Sequence, residues 1–146
     1  MKKELATALN TYLANMGVMY IKLHNLHWNV VGSDFKQVHE YLETLYDAMA
    51  GVLDEVAELL KMQGEQPLAS LKDYLAAASI QELPSAELRS REVLRIVHAD
   101  LALLRDQAQQ IRADAAADDV YAVVSMMEDH LAQYNKTLWF VEAMQK

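Results

Sequence analysis

The chain has 146 residues, enough for one domain with a real core. It is 53% hydrophobic with only 4 Gly and 2 Pro, a balance that favours helix, and it has no Cys, which excludes disulfides and thiolate metal sites. A net charge of -8 opposes nonspecific attraction to nucleic acid and suits cations. No run reaches the ~18 apolar residues of a membrane span. The opening MKKELATALN has no long apolar run and no cleavage site, so a soluble cytoplasmic protein is expected.

The first predicted helix covers Glu4 to Asn29. Its apolar seam is Leu5, Leu9, Tyr12, Met16, Met19, Leu23, Leu26 and Val30, at alternating spacings of four and three. VVGSD breaks it. The second starts near Asp34, with Gln37 as capping-box partner, and runs along Val38, Leu42, Leu45, Met49, Val52, Val56 and Leu59 to a stop at Gly64, with Pro67 beyond. SLKDYLAAA predicts a short helix capped by Ser70, with Asp73 at its third position, and SIQELPS a loop. The third long helix is expected from about Ser85 to Ala113, with Leu94, Val97, Leu101, Leu104, Ala108 and Ile111 inward. DAAADD reads as loop and cap. The fourth runs to the C-terminus through Val120, Val124, Met127, Leu131, Tyr134, Leu138 and Val141. Four long helices with one-sided seams predict an all-α four-helix bundle, residues 1–146 forming one domain. The second connection carries the short helix and is long enough to cross the bundle.

Counting at about 100° per residue places the polar residues. On the second helix His39, Glu43, Asp47, Asp54 and Glu58 form one stripe, about 150° from the apolar seam. On the first, His27 flanks the seam by roughly 60°, His24 lies further round and Trp28 points away. Acidic outer stripes are usually solvated. Here Ala50 and Gly51 share the outer side, where small residues let another backbone approach, and outward Trp28 wants a partner surface. Together they point to an interface between chains. His and carboxylates without Cys suit Fe(II), Zn(II) or Mn(II). A di-metal site inside one bundle needs Glu-x-x-His on two helices, and no Glu is followed three residues later by His anywhere in the chain. A site completed across two chains is the better geometric option.

The stretches LHNLHWNVVGSDF, VHEYLETLYD, VLDEVAELL and GEQPLASLKDYL resemble the Dps family, the mini-ferritins named as DNA-binding proteins from starved cells. The likeness covers Leu5 to about Gln145 and is strongest from Leu23 to Leu75. It implies a ferritin-like four-helix bundle with a short helix in the second connection, assembled as a hollow homododecamer. It implies a ferroxidase that oxidises Fe(II), preferably with hydrogen peroxide, and stores Fe(III) as a mineral. The resemblance also implies a di-iron centre at a two-fold interface, with Zn or Mn as substitutes. His27 and His39 would come from one chain, Asp54 and Glu58 from the other, Glu43 would lie near the second iron position, and Trp28 would stand beside the centre to absorb oxidising equivalents. Val31 and Ser33 stand where many members have Lys and Pro. Asp114, Asp118 and Asp119 fall near the family's pore acids without matching their spacing. DNA-binding members carry a Lys/Arg-rich tail, whereas here only Lys2 and Lys3 precede the first helix, so no DNA binding is expected.

Blander readings stand beside these. His27 can be a hydrogen-bonded flank histidine, His24 and Asp47 surface or interface residues, and His98 and His130 structural or surface histidines beside their seams. Two other functions use the same composition. A DNA-compacting protein needs a basic surface, which the charge does not supply. A purely structural helical oligomer needs only solvated acids.

Overall fold

A computed structural model describes residues 1–146. Helix α1 (Lys3–Asn29) leads through the two-residue strand β1 (Val30–Val31) into α2 (Phe35–Met62). A crossover holding the short helix α3 (Leu71–Ala77) and strand β2 (Leu88–Arg89) precedes α4 (Ser90–Ala117) and α5 (Tyr121–Gln145). The expected bundle is present. Helix α1 packs along α2 and α4 along α5, while α1 against α4 joins the two pairs. The whole α1 seam is buried, as is that of α4. No helix is long and apolar enough to cross a membrane.

Strands β1 and β2 pair in parallel, Val30 opposite Leu88 and Val31 opposite Arg89. Helix α2 starts just after β1 and α4 just after β2, so both start at the same end of the bundle. A 28-residue α2 is about 42 Å long, so the chain leaving Met62 must return that whole length before α4 begins. Neither two-residue strand is legible from periodicity, because a pair so short has none.

Three asparagines of α1 fasten this returning chain. Asn10 accepts from Leu68 N (2.8 Å) and donates to Gln66 O (3.2 Å). Asn15, fully buried, accepts from Ser79 N (2.8 Å) and Ile80 N (2.9 Å) and donates to Ser79 Oγ and Gln107 Oε1. Asn25 donates to Leu83 O and Pro84 O, both at 3.2 Å. Between them Gly17 receives α3: a Cβ there would lie 2.4 Å from the Tyr74 ring, so only glycine lets α3 sit this close. Lys22 Nζ lies 2.6 Å from Asp100 Oδ2 and joins α1 to α4. Both side chains are largely buried, and the contact is a charge pair outside good hydrogen-bond angles.

Several local expectations shift. Asp34 makes no side-chain cap bond, so its capping box with Gln37 does not form. The turn is closed by backbone instead, Phe35 N to Gly32 O and Val38 N to Asp34 O. Helix α4 starts at Ser90 rather than Ser85, because Leu88 and Arg89 are extended in the strand pair. It also runs through Ala117, so most of DAAADD is helix. Ala115 is fully buried and holds the last turn against the core. The turn that follows is a Schellman motif, with Val120 N on Ala115 O, Asp119 N on Ala116 O, and Asp119 at φ 57°. Gly64, the expected stop of α2, closes the same motif at φ 79°, with Glu65 N on Leu60 O. In α5 the inward residues include Val123 and His130, while Val124 and Leu131 are half-buried. The Ser70 cap is present and accepts from Asp73 N (3.1 Å).

His130 reaches the core because its ring is satisfied there. Tyr12 OH lies 3.0 Å from its Nδ1, and its Nε2 lies 3.4 Å from Glu55 Oε2. Burial pulls its pKa below the ordinary histidine value, with Glu55 and Asp129 opposing.

Two outcomes follow from these polar contacts. Asn15→Ala leaves the Ile80 N–H buried without an acceptor and frees Ser79, so stability should fall by roughly 2–4 kcal/mol, read as a lower urea midpoint at fixed protein concentration. His130 is held neutral in the fold, whereas the unfolded chain takes up its proton at higher pH. Its contribution is therefore complete above the unfolded value of about 6.5 and lost as pH falls from there towards the lowered folded value. Urea midpoints across that window should fall for the native chain and fall less for His130→Gln.

Candidate metal centre

His27 sits in the last turn of α1, and His39 in the second turn of α2, just beyond the tight corner at Gly32. The corner brings the rings into a parallel stack, centroids 3.6 Å apart at 12°. Each Nδ1 lies 2.6 Å from the other residue's backbone carbonyl oxygen. A carbonyl only accepts, so both Nδ1 atoms carry the hydrogen. In the neutral ring each residue then has a bare Nε2, whose lone pair can bind a metal ion. The carbonyls thus fix the orientation of both rings, as the outer partners of ligating histidines do in metal sites. His27 is buried and His39 half-buried, closer in than an outer stripe predicts, because each ring is drawn into this exchange.

An aromatic collar surrounds the pair. Phe35 stacks on His39 (4.9 Å) and Tyr46 meets His27 edge-on (5.2 Å, 82°). Tyr46 also stacks on His24 (3.8 Å, 23°) and donates its OH to Glu43 Oε1 at 3.2 Å. Partial burial and the neighbouring Glu43 raise its phenol above the usual range. Glu43 is thereby tied to the histidines through one ring. His24 donates from Nδ1 to Tyr20 O (2.7 Å), and Trp28 lies 5.5 Å from its ring with 68% of its surface exposed. Sequence reading missed Phe35 and Tyr46. They lie four residues before and seven after His39, on the same helix face, and that spacing was the available signal.

Asp54 and Glu58 are exposed on α2, as is Asp47. They do not join the histidines of their own chain. Asp54 is fifteen residues beyond His39, about 22 Å along the helix. No three His, Asp or Glu side chains converge within the chain on a point that would hold a metal. Ala50 and Gly51 are exposed beside the acids, and a Cβ on Gly51 would meet nothing within 4 Å. Of the remaining histidines, His98 pairs with Glu142 (2.9 Å) on the surface.

The family model of the ferritin-like domain matches residues 6–146. A DNA protection during starvation protein of Brevibacillus brevis is 35% identical over 144 residues, covering 94% of this chain and 92% of the relative. The chain belongs to the Dps group of the ferritin-like family. Antigen TpF1 of Treponema pallidum is 36% identical to this Dps-type chain over 138 residues, covering 94% of it and 78% of the antigen. The crystal structure of that antigen superposes with a TM-score of 0.96 over 98% of this chain and 92% of the antigen, at 34% identity. The Dps protein from Vibrio cholerae O1, described as a member of a broad superfamily of ferritin-like diiron-carboxylate proteins, superposes with a TM-score of 0.94 at 28% identity, over 99% of this chain and 90% of that one.

The tautomers can be measured directly. Nitrogen NMR of the histidine-labelled, metal-free chain should report Nδ1–H for both His27 and His39 at neutral pH. The His39→Ala variant should release His27 into a tautomer mixture, because its anchoring ring is gone.

Proposed function

We propose that this Dps-type chain, acting as one unit over residues 1–146, is a ferroxidase and iron-storage subunit. It oxidises Fe(II) with hydrogen peroxide and keeps the Fe(III) product inside a hollow homododecamer. The observation that carries this reading is the reciprocal exchange between the stacked His27 and His39, which uses both Nδ1 atoms and leaves the Nε2 of each neutral ring as the available donor. Two imidazoles do not make a full ligand set, and the chain's own acids lie too far along α2 to complete it. Asp54 and Glu58 of a second copy supply the carboxylates, Glu43 serves the second iron position, and Trp28 stands alongside.

The outer surface supports a second copy. Ile21 and Trp28, two turns apart on α1, are 55% and 68% exposed, and Leu71 and Leu75 of α3 are 70% and 53% exposed. Large apolar side chains standing free together mark a surface that is covered in the assembly. Gly51 and Ala50 leave α2 open to close approach of another backbone.

The chemistry follows from the donors. Iron is substrate here, and Zn(II) or Mn(II) suits the same nitrogen and oxygen donors. Imidazole retains Fe(II), and the harder Fe(III) is stabilised by anionic carboxylate oxygen. Two ferrous ions held together give one electron each to one peroxide, which becomes two waters after taking up two protons. The step that would release a hydroxyl radical is bypassed. The negative charge draws Fe(II) inwards and opposes duplex phosphate, and Lys2, beside the start of α1, is paired with Asp118 at 2.6 Å. Binding to DNA is therefore not part of this reading.

A mixing experiment tests the shared centre. His27→Gly should remove most fast peroxide-dependent oxidation, and so should the double variant Asp54→Ala with Glu58→Ala. Co-refolding the two inactive variants should restore part of the activity, because some mixed pairs then hold one full ligand set. If native mass measurement shows mixed dodecamers and no activity returns, the shared centre is wrong. A monomeric mass for the native chain would remove the shell as well.

A further inference from the structure

The interior of the bundle holds a polar line that the proposed iron chemistry does not use. Tyr12 of α1 is fully buried. Its hydroxyl lies 2.6 Å from Tyr134 OH and 3.0 Å from His130 Nδ1, both on α5. His130 Nε2 lies 3.4 Å from Glu55 Oε2 on α2, and 59% of the Glu55 side chain is exposed.

With His130 neutral and Glu55 ionised, one arrangement of hydrogens satisfies every member. Glu55 as carboxylate accepts from Nε2–H, so Nδ1 is bare and accepts from Tyr12 OH. The Tyr12 oxygen then accepts from Tyr134 OH. The donors run without a break from Tyr134 through Tyr12 and His130 to a carboxylate at the surface. Phenylalanine and leucine would fill the same core without desolvating three polar side chains. A phenol hydrogen-bonded to an imidazole, in a dry site, is the arrangement in which tyrosine gives up an electron most readily, because its proton has somewhere to go at once.

We infer that Tyr12 is a one-electron redox site, a sink for hydroxyl radical or an equivalent one-electron oxidant formed when ferrous iron and peroxide react outside the paired centre. Tyr12 loses one electron and its phenolic proton. The electron reduces the oxidant, so that a hydroxyl radical becomes hydroxide and, with a solvent proton, water. The Tyr12 proton moves to His130 Nδ1 and makes an imidazolium, which the Glu55 carboxylate stabilises across Nε2–H. The neutral Tyr12 radical retains the Tyr134 hydrogen bond and is shielded from solvent, so it outlives radicals on the exposed tyrosines. Burial raises both phenols, Tyr12 and Tyr134, and lowers His130, so the proton stays on Tyr12 in the resting state and moves only with loss of the electron.

The test needs no iron. The metal-free native assembly is oxidised by flash-generated tris(bipyridine)ruthenium(III), frozen and read by electron paramagnetic resonance in H2O and D2O. A long-lived tyrosyl signal with an exchangeable hydrogen-bonded proton is expected. It should be lost in Tyr12→Phe, lost or short-lived in His130→Phe, and retained in Tyr134→Phe, with assembly checked by native mass. Tyr12→Phe removes one oxygen and keeps the ring, so the fold has a conservative control. Absence of the long-lived signal in the native protein overturns the assignment. So does its persistence in Tyr12→Phe, or its loss in Tyr134→Phe alone. A second arm adds Fe(II) and peroxide, and Tyr12→Phe should then show more methionine oxidation by peptide mass mapping than the native chain. Equal methionine oxidation overturns the role as a sink. A chain without ferroxidase activity whose photochemical signal is intact sinks the iron reading and upholds this one.

Discussion

The exchange of hydrogen bonds between His27 and His39 is the contact on which the functional face rests. Each imidazole closes on the other's main chain, so the corner between α1 and α2 is held by the two side chains proposed as metal ligands. The same pair ties the last turn of α1 to the second turn of α2, the helix that carries Glu43, Asp54 and Glu58. Removing either ring frees a backbone carbonyl and lets the remaining ring turn. The cost would appear in structure and chemistry together, which is why a tautomer measurement is more informative here than activity alone.

Elsewhere the bundle is specified by polar fasteners laid on an apolar frame. The α1 seam supplies the burial, yet any helix with such a seam could slide by a turn. Asn15 prevents this, because two main-chain N–H groups of the crossover and two side chains on different elements must all find it. The Lys22–Asp100 pair adds a charge contact between α1 and α4. Such groups contribute little net stability, and mispairing them is costly. They exclude wrong registers more than they strengthen the right one.

Most of the architecture was legible in the sequence. Seams at alternating spacings of four and three located four helices, and Ser70 and Gly64 marked their positions through local chemistry. Errors fell where local preference met a distant partner. The start of α4 was misread because Leu88 and Arg89 belong to a strand pair whose other half is some sixty residues away, beyond any local window. The tail of α4 was misread because buried Ala115 outweighs the loop-like look of DAAADD. His130 was placed beside the seam, since no pattern announces that Tyr12 will meet it. At the site, angle counting put the acids outside, where they are found. It could not bring His27 against His39, because that contact depends on the tight corner between the helices.

The strand pair has a consequence for how the chain finds its shape. Helices α1 and α2 are neighbours in sequence, as are α4 and α5, so each hairpin closes a short loop. Joining Val30 to Leu88 closes one of 58 residues (88 − 30), at a larger entropic penalty and with few contacts of its own. The order implied is two hairpins first and the bridge last, since distant pairings form slowly. Pulsed hydrogen exchange during refolding should protect amides within α1 and α2 before those of Ser79 and Ile80, and the reverse order would contradict it. The crossover is then the late seal of the fold, and its asparagine fasteners act after the helices have already formed.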